Sequence, residues 1–266
     1  MHTQILAIAV NDPLAMPCLV RHLAEAVDLV QPADAQSVGI GRFEQGEPLL
    51  AKLRQPCCSS LLDTLAGIHG RTLLVSCLHS ARSPHAYDVA PFRYRNWLYC
   101  QAGAALPFPP EERERLAIPT YIEKNIRGST TPEVIFHHCL AFLHRQGLLG
   151  SETVDPAPVR KALSSALSLD DLWCHSGKRE ASLFLSDGNI LLGASMERPV
   201  YCRQVSGLDH CGPCGTPDDS TTSRHSHVRG IVLVDTDRLP SPEWQTIGPN
   251  RLFQVDRNLQ LESFAL

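Results

Sequence analysis

Residues Ile5-Leu6-Ala7-Ile8-Ala9-Val10 form an apolar run rich in β-branched side chains, closed by Asn11-Asp12-Pro13. An apolar run of this length followed by turn chemistry predicts a buried strand at the start of the chain. A buried strand needs a core around it. A chain of 266 residues, 43% hydrophobic and 20% charged, has the size and composition to build one.

Beyond that strand, Leu19, Leu23 and Ala26 recur at helical spacing within residues 14–29, predicting an amphipathic helix with His22 and Glu25 toward water. Residues 37–43 and 48–53 flank Gln45-Gly46 and predict a hairpin. Residues 72–78 and 97–101 predict two more strands, separated by an irregular loop through Pro84 and Pro91. Thr130-Thr131-Pro132-Glu133 combines a capping hydroxyl, a proline at the first helical position and a capping-box glutamate. It predicts a helix to about Gln146, with Gly147 as its stop. A second helix is expected over 159–167, then a hairpin of 181–186 and 190–194 around Asp187-Gly188-Asn189. Later strands are expected over 230–234 and 252–255.

Strands, then helices, then strands again, without regular βαβ alternation, predict an α+β sandwich. No dinucleotide-binding or P-loop signature, internal repeat or linker divides the chain, so a single domain over 1–266 is expected.

Charge narrows the partners. Lys and Arg total 24 against 28 Asp and Glu, for a net charge of -4, and no long basic run occurs, which argues against nucleic acid. No stretch approaches the roughly 18 apolar residues of a membrane span, and the N-terminus lacks the pattern of an export signal. A cytoplasmic protein with no membrane partner is the expectation.

Of the 10 cysteines, most lie in apolar segments, as Cys77, Cys100 and Cys139 do, and read as small buried hydrophobes. Cys202, Cys211 and Cys214 fall in a polar, Gly/Pro-rich stretch with His210, His225 and His227 nearby. Cys202, Cys211, Cys214 and His225 would make a structural Cys3His zinc site. The competing reading is a polar loop with free thiols. His137-His138 read as surface or packed histidines, because adjacent helical residues point about 100° apart and share a ligand sphere poorly. Asp170-Asp171 read as a helix start or loop, and residues 111–115 as a solvated helical turn. Phe92, Trp97 and Tyr99 read as core or pocket-lining.

Several strings in order resemble the class II glutamine amidotransferases, N-terminal-nucleophile hydrolases with a four-layer αββα sandwich, and among them the small stand-alone bacterial members. Gly39-Ile40-Gly41-Arg42-Phe43 stands where the family has a Gly-x-Gly-aromatic-aromatic strand. Pro91-Phe92, followed by residues 97–103, resembles the His-Pro-Phe segment and the strand ending in His-Asn-Gly. Residues 127–133 resemble the loop ending in Thr-Asp-Ser-Glu that enters a helix. Leu185-Ser186-Asp187-Gly188 and the segment from Trp244 through Phe253-Gln254-Val255-Asp256 match a hairpin and the closing segment. The likeness covers essentially the whole chain.

What the resemblance implies about chemistry is set by where the chain departs from it. Family enzymes attack the amide with a cysteine at position two, whose α-amine serves as base; here position two is His2. The arginine that holds the substrate carboxylate falls at His79, so the bidentate anchor is missing. The oxyanion string reads Gln101-Ala102-Gly103, in which Gly103 can still offer a backbone N–H but Ala102 has no side-chain donor. The aspartate that receives the substrate ammonium corresponds to Thr131.

The expectation is therefore a catalytically inactive protein of this type, with no cofactor, serving as a partner or regulatory subunit. It would hold an active amidotransferase or a synthetase, or form a homo-oligomer. The alternative is a glutamine or γ-glutamyl amide hydrolase with a substitute nucleophile. Thr3, after removal of Met1 and His2, is the first candidate; Cys77 or Cys100 would serve a pocket of different specificity. Such an enzyme would need replacement anchors, for which Arg82, Arg93, Arg95 and Asp88 are available.

Overall fold

Successive residues of β1 (His2–Val10) feed two different cores. Side chains alternate across a strand, so Ile5, Ala7 and Ala9 join one hydrophobic cluster while Leu6, Ile8 and Val10 join another. The computed structural model describes residues 2–30, 36–54, 58–80, 84–150, 155–168, 180–208, 225–238 and 240–266. The remaining strands are β2 (Ser37–Glu44), β3 (Glu47–Arg54), β4 (Thr72–His79), β5 (Phe92–Tyr94), β6 (Trp97–Ala104), β7 (Ala181–Ser186), β8 (Leu191–Ser195), β9 (Val200–Ser206), β10 (Arg229–Asp235), β11 (Gln245–Ile247), β12 (Arg251–Val255) and β13 (Leu261–Ala265). The helices are α1 (Met16–His22), α2 (Ala24–Val30), α3 (Cys58–Leu65), α4 (Pro110–Arg113), α5 (Thr120–Glu123), α6 (Thr131–Arg145) and α7 (Pro156–Leu167).

Within the first sheet β1 lies between β10 and β4, with β9 and β11 beyond the former and β2 and β3 beyond the latter. The second sheet runs β5, β6, β7, β8, β12, β13. All of these pairings are antiparallel, and the two sheets join where His2 and Thr3 of β1 pair with Ala104 and Gly103 of β6. Apolar side chains of α1, α2 and α3, including Leu19, Val27 and Leu61, cover the outer face of the first sheet. Those of α6 and α7, including Ile135, Leu140 and Leu163, belong to the core that contains the second sheet. The α+β class and the four-layer αββα sandwich expected from the sequence are the observed architecture.

Local chemistry accounts for several details. A Cβ on Gly39 would lie 1.7 Å from the Ala90 carbonyl oxygen, so only glycine admits that approach. The Ser76 hydroxyl donates to the same carbonyl at 2.6 Å, which fixes the chain just before β5. Asp155 caps α7 by accepting the Ala157 N–H at 3.0 Å.

The structure corrects four local readings. The helix expected over 14–29 is two helices, α1 and α2, broken at Leu23, whose side chain is 1% exposed while Leu14 is 73% exposed. The chain bends to keep apolar residues inside. The capping box at Thr130 does not form, because the Glu133 carboxylate accepts from the backbone N–H groups of Arg127 and Gly128 instead. The loop through Pro91 contains β5, a short strand hydrogen-bonded to β6. Finally, Cys202 is not in a polar stretch but inside β9, fully buried. Asp170-Asp171 and Arg82 lie outside the described residues.

Candidate functional site

Strand register brings the positions singled out by the resemblance to one end of β1. His2 lies opposite both His79 of β4 and Ala104 of β6, and Thr3 lies opposite Leu78 and Gly103. Gln101 and Ala102 precede Gly103 on the same strand and are buried. Thr131, at the start of α6, is tied to the residues that follow β6: its backbone N–H and its hydroxyl both donate to the Leu106 carbonyl, at 2.7 and 2.8 Å. His2, Thr3, His79, Gln101, Ala102, Gly103 and Thr131 thus gather around the same sheet junction.

Most of these side chains are buried, while His2 reaches the surface beside Asp237. Thr3 is 5% exposed and Thr131 7%. The Gln101 side-chain oxygen accepts from the buried Tyr99 hydroxyl at 2.9 Å. Gly103 has φ +95, and a Cβ there would meet the Glu180 carbonyl oxygen at 2.4 Å, so the backbone itself demands glycine. His2 Nε2 lies 2.9 Å from the Asp237 carboxylate, which also accepts from the Gln4 amide at 3.2 Å and from the Arg198 guanidinium at 3.1 Å. Arg198 also grips the buried Asp235, with Nε donating at 2.9 Å. Burial pushes the Asp235 carboxyl above its ordinary range, opposed by Arg198. Asp237 is held below it by His2 and Arg198, whose charges outweigh a partial burial that acts the other way.

A separate cavity of about 630 Å³ opens between β3, the β5–β6 hairpin and α6. Lys52, Arg93, Arg95, Arg127, Glu133 and His137 are its charged and imidazole side chains, Asn125 adds an amide, and Phe92, Tyr94 and Tyr87 are its aromatic ones. None of the seven positions at the sheet junction lines it. Arg93 and Arg95 therefore face this cavity, and Asp88 accepts the Ser129 backbone N–H at 3.0 Å. His137 is 2% and His138 1% exposed, and burial pushes both down to about 4, so both are neutral at pH 7. His138 is packed, as the sequence suggested, while His137 is packed and also borders the cavity. Burial raises Glu133 above the ordinary carboxylate range, against the two backbone donors that favour its charge.

The cysteine reading divides. Cys202 belongs to the cluster between the sheets, and burial pushes its thiol up to about 12. His225 lies 3.6 Å from the Cys18 sulfur, and Cys18 belongs to the core on the opposite face of the first sheet. The structure thus does not bring Cys202 and His225 together, and Cys211 and Cys214 lie outside the described residues. Among the described residues no group of three or more His, Cys, Asp and Glu is placed to hold a metal ion. Cys77 and Cys100 are fully buried, and burial raises the Cys100 thiol well above its ordinary value, so the described surroundings favour inert thiols. No described helix is long and apolar enough to cross a membrane.

No protein-family model and no curated protein matches the chain. Solved structures do. A glutamine aminotransferase class-II domain protein from Silicibacter pomeroyi superposes with a TM-score of 0.60 at 19% identity, covering 99% of each chain. A predicted glutamine amidotransferase from Pseudomonas aeruginosa gives 0.54 at 13% identity, covering 100% of each. The glutamine phosphoribosylpyrophosphate amidotransferase from B. subtilis gives 0.54 at 11% identity, covering 98% of this chain and 49% of that one. The fold is that of the class II glutamine amidotransferase domains. At these identities the likeness is one of architecture. Within that amidotransferase fold, sequence reasoning located the positions at the sheet junction but missed Arg198, Asp235 and Asp237 around His2. Those residues stand 39 or fewer positions apart along the chain and follow no motif spacing; the β1–β10 pairing, which sets Ile5 opposite Asp235, carries that segment toward the start of β1.

Proposed function

We propose that this chain is a class II glutamine amidotransferase-like protein that does not hydrolyse glutamine and acts as a binding or regulatory subunit. Its partner would be an active amidotransferase, a synthetase or a second copy of itself. The observation that carries this reading is the state of position two. There His2, in place of a thiol, is engaged by Asp237, itself locked to Arg198. His79 opposite it, and Ala102 and Thr131 at the same end of β6 and the start of α6, lack the guanidinium, amide and carboxylate that the resemblance calls for.

The competing reading, amide hydrolysis through Thr3, draws no support from the surroundings of that residue. Its side chain is buried, and its backbone is paired on both sides, with Leu78 and Gly103.

Glutamate release from glutamine by the purified protein tests the proposal. No release above the uncatalysed background is expected, and turnover of order 1 per second or more, typical of working enzymes, would overturn it.

A further inference from the structure

We propose that the cavity between β3, the β5–β6 hairpin and α6 is a binding site for a small aromatic acid, one that carries a carboxylate or phosphate on a planar ring with a hydroxyl. The site is independent of the glutamine-type positions, none of which lines it. Its volume of about 630 Å³ lies within the range of small-molecule sites, roughly 300–1,000 Å³.

Charge selects the ligand's sign. Lys52, Arg93, Arg95 and Arg127 face the cavity with Glu133 as the carboxylate among them. The oxygens of Glu133 are already engaged by the backbone N–H groups of Arg127 and Gly128. Lys52 donates to the Ala86 carbonyl at 2.6 Å, and Arg93 reaches Glu47 at 3.4 Å from the rim. Arg95 and Arg127 instead lie over the rings of Tyr94 and Tyr87, each 5.7 Å from the centroid, and among the described residues neither pairs with a carboxylate. Two exposed guanidiniums oriented by aromatic rings form a ready acceptor for an anionic group.

Backbone geometry places one of them. Arg95 occupies the tight turn between β5 and β6 with φ 51, a conformation in which glycine would be unstrained. The turn accepts that strain with a side chain that lines the cavity.

The aromatic walls and His137 select the rest. Phe92 and Tyr94 present ring surface to a planar ligand. The buried imidazole of His137 lines the same cavity; its Nδ1 lies 2.8 Å from the Glu133 carbonyl and donates to it, since the carbonyl can only accept. That leaves Nε2 as an acceptor, and among the described residues Nε2 has no hydrogen-bond partner. A ligand hydroxyl would satisfy it.

Calorimetric titration of the 266-residue protein at pH 7.5 with 4-hydroxybenzoate, 4-hydroxyphenyl phosphate, benzoate and 4-hydroxybenzyl alcohol tests the site. Saturable binding of 4-hydroxybenzoate or 4-hydroxyphenyl phosphate is expected, and which of the two binds identifies the anion as carboxylate or phosphate. Arg95→Gln and Arg127→Gln, both at exposed positions, should each weaken that binding by about tenfold or more, as expected for loss of a charge-assisted bond. Arg257→Gln, on a distant turn, should leave it unchanged. If 4-hydroxybenzoate binds, benzoate should bind more weakly, since it lacks the donor for His137. The proposal is overturned if neither acid binds up to about 10 mM, roughly a tenfold margin beyond a millimolar site. It is equally overturned if the neutral alcohol binds as tightly as the acids, or if both arginine variants bind as the wild type does.

Discussion

Glu133, in the first turn of α6, accepts the backbone N–H of Arg127 at 3.0 Å. A helix thereby organises the loop that leads into it, and the same loop carries Arg127 to the cavity wall. Removing the carboxylate leaves the N–H groups of Arg127 and Gly128 without their acceptor. Glu133→Ala should lower stability by about 2–4 kcal/mol, and Glu133→Gln, which keeps one oxygen, by less. Urea denaturation of the two variants beside the wild type measures both differences.

The two neighbouring histidines make stability depend on pH. Each is pushed down to about 4 by burial, while an unfolded histidine binds its proton near 6.5. The unfolded state therefore takes up protons first as pH falls. The stability these neutral side chains allow is complete above pH 6.5 and is lost progressively toward pH 4. Between pH 7.5 and pH 5 the loss should be about 2 kcal/mol per histidine. His138→Gln should remove its share, so that the variant's urea midpoint moves less over that interval than the wild type's.

Arg198 and Asp235 should behave as a coupled pair. Asp235 is 0% exposed, and Arg198 is the cation that compensates its charge. Arg198→Met strands a buried carboxylate and should cost about 3–5 kcal/mol. The double variant Arg198→Met with Asp235→Asn should be less destabilised than the sum of the two single ones. A double-mutant cycle in urea supplies the coupling energy, and a value near zero would show that the pair acts independently.

A restored nucleophile should not restore chemistry. His2→Cys puts a thiol at position two, yet His79, Ala102 and Thr131 still supply neither substrate anchors nor the oxyanion amide. A single missing oxyanion donor costs roughly 10²–10³ in rate. The variant should release glutamate from glutamine at less than about 0.01 per second in a coupled assay. A rate near 1 per second would mean that other side chains anchor the substrate.

Much of this architecture was legible from local chemistry. The hairpin around Gln45-Gly46, the strand at 72–78 and the helix stopping near Gly147 follow from turn residues and periodicity, and β2, β3, β4 and α6 stand there. β9 was not legible, because Arg203 and Gln204 interrupt its apolar pattern while lying opposite Val232 and Ile231 of β10. Tertiary pairing, and not local propensity, makes that strand. The same limit applies to the site. The family resemblance located His2, His79 and Gly103, which β1 pairs together, whereas the cavity joins Lys52, Arg95, Arg127 and His137 from separate elements that no resemblance singled out together. The Thr130 string satisfied a capping rule, but Glu133 found donors in the preceding loop, a competition that no pattern of residues reveals.

The place of β1 at the centre of its sheet also sets a schedule for folding. Its partner β10 pairs Ile5 with Asp235, so a ribosome delivering the chain in order exposes an unfinished, strongly apolar edge until β10 has been made. Contacts this remote in sequence slow folding and leave time for misassociation. A strand made before β4 thus keeps one edge open until β10 follows, and that interval is where misassociation can compete with native pairing.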